Sequence, residues 1–491
     1  MDTQCFKDIA PTTSEEIAIT TGSGAMKMSF AQLKSFQLGE IVLPDVAVAI
    51  ADLSKFSQFL SVKPQGLIGA NILKRFLLTI DYEKQELILR DPDKVKPPEG
   101  AIVVDTKPSL GVSGLAVDGV LDNKLKLTFL IDSGAAFNHV SESLIKDLTK
   151  TPLLPVGVIK GLDGIPVRTG ATRFKTLSIG NLTIDDPIFS VAPTQGTEDS
   201  PKGIIQGGAL AIIGNPLLSQ YRVTIDYRNQ KIYFEKKAKS GDVALDARLK
   251  RIIADYYNSD NARQASNQLA HLSADALAQG FPAIAAQAMA NEAYSLSQVN
   301  AAAGSQSSFS QKESSGSKTS SEKSEITTAV SKPINDKFVA AFEQAKRSDN
   351  KAVMAQVLSL WAQYYLQSGP QNISRARPLI NKALATCPTE PAVYAVAGLL
   401  FATGQPANPA DRLGDATTEA TMSPLFPKEK PESSADMLLN QSLMMDPANW
   451  LALWTKYNLA ERSGKTSEKV LITKHLLRYY PEASRVKQLL E

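Results

Sequence analysis

The sequence predicts a multidomain chain, with an all-β N-terminal part followed by an all-α C-terminal part. Three observations support this prediction. Residues 1–238 are rich in β-branched and aromatic residues interrupted by Gly, Pro and Asp. An internal repeat runs through the same residues, and helical, alanine-rich periodicity fills most of the remainder. At 491 residues the chain is also too long for a single hydrophobic core.

The overall composition excludes several classes of function. A hydrophobic content of 43% and a charged content of 21% are typical of a globular protein. The net charge of +3 gives no reason to expect a nucleic-acid partner, and no apolar run of about 18 residues predicts a transmembrane helix. Two distant cysteines, Cys5 and Cys387, and three histidines do not suggest a metal site. We therefore expect neither a metal nor a cofactor.

Two copies of one β-rich unit follow each other. Residues 66–89, "GLIGANILKRFLLTIDYEKQELIL", align without gaps on residues 211–234, "AIIGNPLLSQYRVTIDYRNQKIYF", and both contain the run Thr-Ile-Asp-Tyr. Upstream, "LKSFQLGEIVLPD" from residue 33 aligns with "FKTLSIGNLTIDD" from residue 174. The sequence therefore predicts a partial first lobe at residues 1–95 and a complete second lobe at residues 100–238.

A strand-to-loop motif in the second copy contains the candidate catalytic residues. The alternating apolar run at residues 125–131 ends in Asp132-Ser133-Gly134-Ala135, followed by a helix candidate at 142–148 and a hairpin at 159–169. Ile212-Ile213-Gly214 and the closing strand "YRVTIDYRNQKIYF" come roughly 80 residues after the motif. In this order the features resemble a retropepsin-type aspartic peptidase lobe, over about residues 101–236.

The resemblance implies an aspartic-type endopeptidase that hydrolyses polypeptides. Two neighbouring carboxylates share a proton; the charged one activates a water and the protonated one donates to the substrate carbonyl. Asp132 would supply one carboxylate, Gly134 would leave room for the water, and Ser133 would brace the paired loop. The residues expected beneath the loops of the two copies are Ile212, Ile213, Gly214, Ile68 and Gly69.

The resemblance also implies where a substrate would bind. Ala135 follows the catalytic motif directly. The hairpin tip would act as a flap that closes over the substrate and excludes water. Its residues are Gly161, Leu162, Asp163 and Gly164.

The source of the second carboxylate has three alternatives. Asp2, in Asp2-Thr3-Gln4, resembles a remnant of Asp-Thr-Gly with Gln4 in place of the glycine. A second chain could contribute its own Asp132 in a symmetric homodimer. Alternatively, the true start lies upstream, because the repeat places the first copy's acid before Met1. No export signal begins the chain as read, which predicts a cytoplasmic protein unless that upstream start exists.

The C-terminal half divides into three parts by composition. We expect an alanine-rich helical segment at residues 242–302, a Ser-rich disordered linker at 303–332 and helical repeats at 333–491. Asp446-Pro447 and Tyr480-Pro481 end two helical patterns that are 34 residues apart. This spacing resembles tetratricopeptide repeats, which implies an array that binds protein partners.

Two hypotheses about function follow. The first is a peptidase whose helical repeats recruit substrates. The alternative is a catalytically inactive peptide-binding or scaffold protein built on degenerate aspartic-peptidase lobes. The missing acid of the first copy favours the scaffold, whereas the intact Asp-Ser-Gly and Ile-Ile-Gly motifs of the second copy favour the peptidase.

Overall fold

The chain forms two compact units, Met1–Ala238 and Lys239–Glu491. A computed structural model describes residues 1–3, 17–20, 25–53, 65–82, 84–108, 114–146, 148–149, 151–160, 166–192, 211–236, 243–310, 320–403 and 431–490. Strands dominate the first unit and helices form the second. The predicted fold class, multidomain with an all-β part before an all-α part, is confirmed.

The described part of the β unit contains strands of 2 to 14 residues and three one-turn helices with given bounds. Its described strands are β1 (Ile17–Thr20), β2 (Ala25–Leu38), β3 (Ile41–Ile50), β4 (Leu77–Asp81), β5 (Glu86–Arg90), β6 (Ile102–Asp105), β7 (Lys107–Pro108), β8 (Leu115–Leu121), β9 (Leu125–Ile131), β10 (His139–Ser141), β11 (Gly157–Lys160), β12 (Pro166–Arg173), β13 (Thr176–Ile179), β14 (Leu182–Asp185), β15 (Ile188–Ala192), β16 (Ala211–Ile213), β17 (Tyr221–Asp226) and β18 (Lys231–Lys236). The helices are α1 (Ala70–Leu73), α2 (Glu142–Ile145) and α3 (Asn215–Leu218).

These strands form three sheets. The largest has the order β11-β12-β15-β10-β16-β9-β8-β13-β14, with β7 paired to β8. The second has the order β5-β4-β17-β18-β6, and the third has the order β1-β2-β3. The second sheet contains strands from both sequence copies, so the two predicted lobes lie in one compact unit rather than in two separate domains.

The two copies meet across an approximate two-fold axis. Strands β4 and β17 are equivalent in the sequence repeat, and they pair antiparallel with Thr79 opposite Thr224. Both threonines are about 1% exposed, and their Oγ1 atoms are 2.8 Å apart. Equivalent residues can face each other in this way only when the two strands are related by a local two-fold rotation.

The hairpins of the two copies share one register. In the first copy Ser29 pairs with Ile50 on β2 and β3; in the second copy Gly170 pairs with Val191 on β12 and β15. Both residues of the second pair follow from the first by the 141-residue spacing of the repeat. The repeated sequence therefore has repeated backbone geometry. A one-residue slip would move the apolar side chains to the opposite face.

The helical unit is a series of paired helices. Its described helices are α4 (Val243–Ser259), α5 (Ala262–Ala278), α6 (Pro282–Ser310), α7 (Ser320–Arg347), α8 (Lys351–Gln367), α9 (Ile373–Thr386), α10 (Pro391–Ala402), α11 (Pro431–Met445), α12 (Trp450–Arg462), α13 (Thr466–Tyr479) and α14 (Ser484–Lys487). From α4 to α13 each even-numbered helix packs against the next helix in the chain, and α4, α6, α8, α10 and α12 pack in succession.

Asparagine caps begin three of these helices. The side chains of Asn261, Asn350 and Asn449 each accept a hydrogen bond from the backbone N–H three residues later. Each bond satisfies one of the N–H groups that a helix start leaves without an intrahelical partner.

The predicted linker at residues 303–332 overlaps the described ends of two helices. Helix α6 continues to Ser310 and α7 begins at Ser320, while residues 311–319 lie outside the described part of the chain. Ala286 and Ala290 of α6 share a core with Phe338 of α7 and Val357 of α8. The alanine-rich face of α6 therefore obtains its core partners from α7 and α8.

Glu390 is a buried carboxyl group between two helix pairs. As the N-cap of α10 it accepts a hydrogen bond from the Ala392 N–H at 3.3 Å, and Gln356 Nε2 of α8 donates to its other oxygen at 3.0 Å. Burial raises the pKa of Glu390 to about 7, although both hydrogen bonds oppose the rise. Removal from water disfavours the charged carboxylate more than the two donors stabilise it.

We expect the helical unit to lose stability as the pH rises through the pKa of Glu390. Folding favours the protonated carboxyl, so its stabilising effect is complete below pH 4.5 and is lost between about pH 4.5 and 7. The loss should be about 3 kcal/mol at most. Urea titrations of the full chain measure it through the three tryptophans, Trp361, Trp450 and Trp454, which all lie in this unit.

Glu390→Gln should remove this pH dependence, whereas Glu482→Gln, at a surface ion pair with Lys487, should retain it. An unchanged pH slope in Glu390→Gln would contradict the assignment.

Candidate active site

Asp132 lies at the end of a central strand, in a loop held by the neighbouring strand. Strand β9 runs parallel to β16, with Ile131 beside Ile213, and the Asp132 N–H donates to the Ile213 carbonyl at 3.0 Å. The Asn215 N–H donates to the Ala135 carbonyl at 2.9 Å. The loop is therefore held at both ends by the turn between β16 and α3.

The backbone of the loop orients the Asp132 carboxylate. The Gly134 N–H donates to Asp132 Oδ1 at 2.8 Å, and the Ala135 N–H donates to the Asp132 carbonyl at 3.1 Å. A Cβ atom on residue 134 would lie 3.1 Å from the same Oδ1. Asp132 is half-buried, and Ser133 and Gly134 are exposed. Glycine thus leaves room beside a carboxylate that solvent can reach.

Gly214 lies in direct contact with the underside of the loop. A Cβ atom at this position would lie 2.5 Å from the Phe137 carbonyl oxygen and 2.8 Å from the Ala135 carbonyl oxygen. Both atoms belong to the backbone, so no side-chain rotation could relieve the clash. The neighbouring Ile213 is fully buried in the core, which fixes the strand beneath the loop.

Asn138 connects three parts of the site and was not among the residues predicted from the sequence. Its Oδ1 accepts from the Gly214 N–H at 3.0 Å, and its Nδ2 donates to the Ile188 carbonyl at 2.9 Å. Its own carbonyl accepts from both the N–H and the Oγ of Ser190. Asn138 is 4% exposed and therefore ties β15 and the turn at Gly214 to the end of the loop.

His139 is buried and uncharged. Its Nδ1 lies 3.0 Å from Ser190 Oγ, and its Nε2 has no hydrogen-bond partner among the residues that the structure describes. Burial lowers the pKa of His139 to about 4, so the imidazole is neutral above that pH. In β10 it pairs with Ile212, which pairs with Leu130 of β9. Paired residues lie on the same face of a sheet, so His139, Ile212 and Leu130 share one face. Side chains alternate between the two faces along a strand, so Asp132 belongs to the same face as Leu130.

The first copy has a different arrangement at the corresponding strands. Asp2 forms a parallel bridge with Ala51, as Ser141 does with Ala192 in the second copy. Its Oδ2 accepts from the Leu53 N–H at 3.0 Å, and it is 3% exposed. Asp2 therefore occupies the position of a residue nine places after Asp132, on the strand that follows the loop.

The glycine motif of the first copy has no loop above it within the described residues. A Cβ atom on Gly69 would meet only Asn71 Oδ1, at 3.2 Å. Leu67 is 53% exposed and Ile68 is 42% exposed, whereas Ile213 is fully buried. Among the described residues, none occupies the place beside Gly69 that the Asp132 loop has beside Gly214.

The first copy nevertheless supports the site of the second. The Tyr82 hydroxyl donates to Asn215 Oδ1 at 2.8 Å, directly after Gly214. Burial raises the pKa of Tyr82 to about 12, so the phenol remains a donor over the whole range in which a carboxylate site works. The strand pair β4 and β5 thus supports the turn that carries the Asp132 loop.

The predicted flap is only partly described. Strands β11 and β12 pair antiparallel, with Gly157 opposite Thr169. Gly161, Leu162, Asp163 and Gly164 lie outside the described residues. Among the described residues, no His, Cys, Asp and Glu side chains form a group that could hold a metal ion, and no helix there is long and apolar enough to cross a bilayer.

A protein-family model matches part of the β unit. Residues 117–208 match the family model described as "Aspartyl protease". A retropepsin-like aspartic protease from Rickettsia conorii is similar at 15% identity and a TM-score of 0.20, over 28% of this chain and 89% of that one. The aspartic proteinase from Irpex lacteus is similar at 12% identity and a TM-score of 0.26, over 46% of this chain and 82% of that one. No curated protein matches the chain in sequence.

The two equivalent glycines should respond differently to substitution by alanine. Gly214→Ala should lower the free energy of unfolding by about 2 kcal/mol, because its Cβ meets two backbone carbonyls. Gly69→Ala, the matched control, should change it by less than about 0.5 kcal/mol, because only an exposed side chain is near. Both glycines have a negative φ that alanine can also adopt, so the two variants differ in what the new Cβ atom contacts and not in backbone strain. Amide hydrogen exchange of β9 and β16 measures the difference, and equal protection in the two variants would contradict the close approach.

Proposed function

We propose that the β unit is an aspartic-type endopeptidase in which Asp132 activates the water that attacks a peptide bond. The observation that supports this most strongly is the loop itself, where a half-buried carboxylate accepts a backbone hydrogen bond from Gly134 and rests on Gly214. The family match over residues 117–208 covers Asp132 and the strands around it.

The chemistry requires a second carboxyl group close to Asp132. Like charges at short distance do not both ionise, so the pair holds one proton. The ionised member removes a proton from water as it attacks the carbonyl carbon, and the protonated member donates to the carbonyl oxygen. In the tetrahedral intermediate that forms, a carboxyl of the pair then donates a proton to the nitrogen, the C–N bond breaks and the amine leaves. Leu130 and Ile212, half-buried on the Asp132 face of the sheet, are the proposed floor for an extended polypeptide.

The pairing of β4 with β17 supports a site completed within the pseudo-symmetric β unit over a homodimer of two Asp132 loops. Strand β17 is bonded on one edge to β18 and on the other to β4 of the first copy. A second chain's β17 would have to displace β4 to use the same axis. The proposed position of the second carboxyl is therefore beside Gly69, and Asp2 is proposed to be structural because its carboxylate accepts from the Leu53 N–H.

One observation favours the scaffold as a second candidate function. Among the described residues, no carboxylate lies beside Gly69. In that case the β unit would bind extended peptides without cutting them. In either case the stacked helix pairs of the second unit are proposed to recruit protein partners, as tandem helical arrays commonly do.

Asp132→Asn should abolish cleavage of a reduced, carboxymethylated protein between about pH 4 and 7. The amide keeps the shape but cannot take a proton from water, so kcat/KM should fall about a thousandfold or more. Asp118 lies on β8 in an exposed ion pair with Lys107 of β7. Asp118→Asn is the matched control and should leave cleavage unchanged. Thermal melts verify that both variants fold.

We expect the wild-type rate to be low but proportional to enzyme concentration. Equal cleavage by wild type and Asp132→Asn would contradict the peptidase proposal. A rate that rises with the square of the concentration would instead favour the homodimer. No cleavage by the wild type, together with saturable peptide binding, would favour the scaffold.

A further inference from the structure

The segment Gln65–Gly69 of the first copy has a free side in the described structure. Its counterpart in the second copy, β16, is bonded to β10 on one side and to β9 on the other. In the first copy the Asp2 N–H donates to the Gln65 carbonyl at 2.8 Å, so residues 1–3 take the place of β10. On the opposite side, Leu67 and Ile68 form no strand pairing with any described residue.

The exposed side chains of this segment are those that a neighbouring strand would cover. Leu67 and Ile68 are 53% and 42% exposed, while Ile213, the counterpart of Ile68, is fully buried beside β9. Two adjacent large aliphatic residues, beside backbone groups that pair with no described strand, are a template for strand addition. The internal repeat specifies the occupant, because the same place in the second copy contains β9 and its Asp-Ser-Gly loop.

We propose that the free side of Gln65–Gly69 binds an added β-strand of the β9 type, an extended segment of alternating apolar residues that ends in Asp-(Ser/Thr)-Gly. The strand pairs parallel to residues 66–68 in the register by which β9 pairs with β16. Its aspartate then lies beside Gly69, across the two-fold axis from Asp132. The catalytic consequence rests on the proposed function, whereas the docking does not.

A second folded copy of this chain is not the occupant. Its β9 is bonded to β8 on one edge and to β16 on the other, and Phe129 within it is fully buried. Release of β9 would open the core of that copy. The occupant is therefore a strand that is not part of another complete lobe.

The experiment uses the full chain and a synthetic peptide copy of residues 125–137, LKLTFLIDSGAAF, labelled with a fluorophore. Fluorescence anisotropy should show saturable binding, and amide hydrogen exchange should show new protection at residues 65–69. Ile68→Lys should weaken binding by about tenfold or more, because it replaces the apolar contact by a charge. Leu87→Lys, at a leucine on the edge strand β5 that is 53% exposed, is the matched control and should bind as wild type does.

A cleavage assay distinguishes the docking of the strand from the proposed peptidase function. The peptide should raise Asp132-dependent cleavage, and the same peptide with asparagine in place of its aspartate should bind equally well without raising it. Saturable binding that Ile68→Lys weakens, with no rise in cleavage, supports the docking and contradicts the peptidase. No saturable binding, or equal binding by wild type and Ile68→Lys, overturns the docking whatever cleavage is observed.

Discussion

The antiparallel pairing of β4 with β17 is the constraint on which the rest of the β unit depends. It places Thr79 against Thr224 and creates an approximate two-fold axis between equivalent strands of one chain. The site in the second copy then has a symmetry-related place in the first copy, beside Gly69. The same pairing occupies the strand edge that a second chain would need for a symmetric dimer. Under the proposed function, this one backbone register sets where a second carboxyl group would lie.

The site of the second copy shows how a few backbone contacts fix a carboxylate. Gly214 allows the strand beneath to touch the loop, the Gly134 N–H orients Asp132 Oδ1, and Asn138 joins the end of the loop to β15. Asp132 itself remains half-buried. The protein therefore holds the acid mainly by the main chain around it, which leaves the carboxylate accessible to solvent. The first copy retains the glycine motif but, in the described residues, not the loop.

Sequence patterns predicted the features that depend on local order along the chain. The internal repeat predicted the equivalent strands of the two copies. The alternation of apolar residues predicted the strand before Asp132, and the Ile-Ile-Gly motif predicted the role of Gly214. Asn138 was missed because its partners, Ile188 and Gly214, are 50 and 76 residues away. The position of Asp2 was also beyond sequence reasoning, since it follows from pairing with Ala51 and Gln65. The shared core of α6, α7 and α8 was also beyond sequence reasoning, because composition describes only what a segment can bury by itself.

The most direct test of the central claim is a cysteine cross-link across the two-fold axis. Thr79→Cys and Thr224→Cys are combined with Cys5→Ser and Cys387→Ser, so that only the engineered pair can oxidise. We expect an intrachain disulfide in a monomer, seen by non-reducing electrophoresis and by mass spectrometry of the linked peptides. A disulfide-linked dimer, or two free thiols after oxidation, would contradict the pairing of the two copies within one chain.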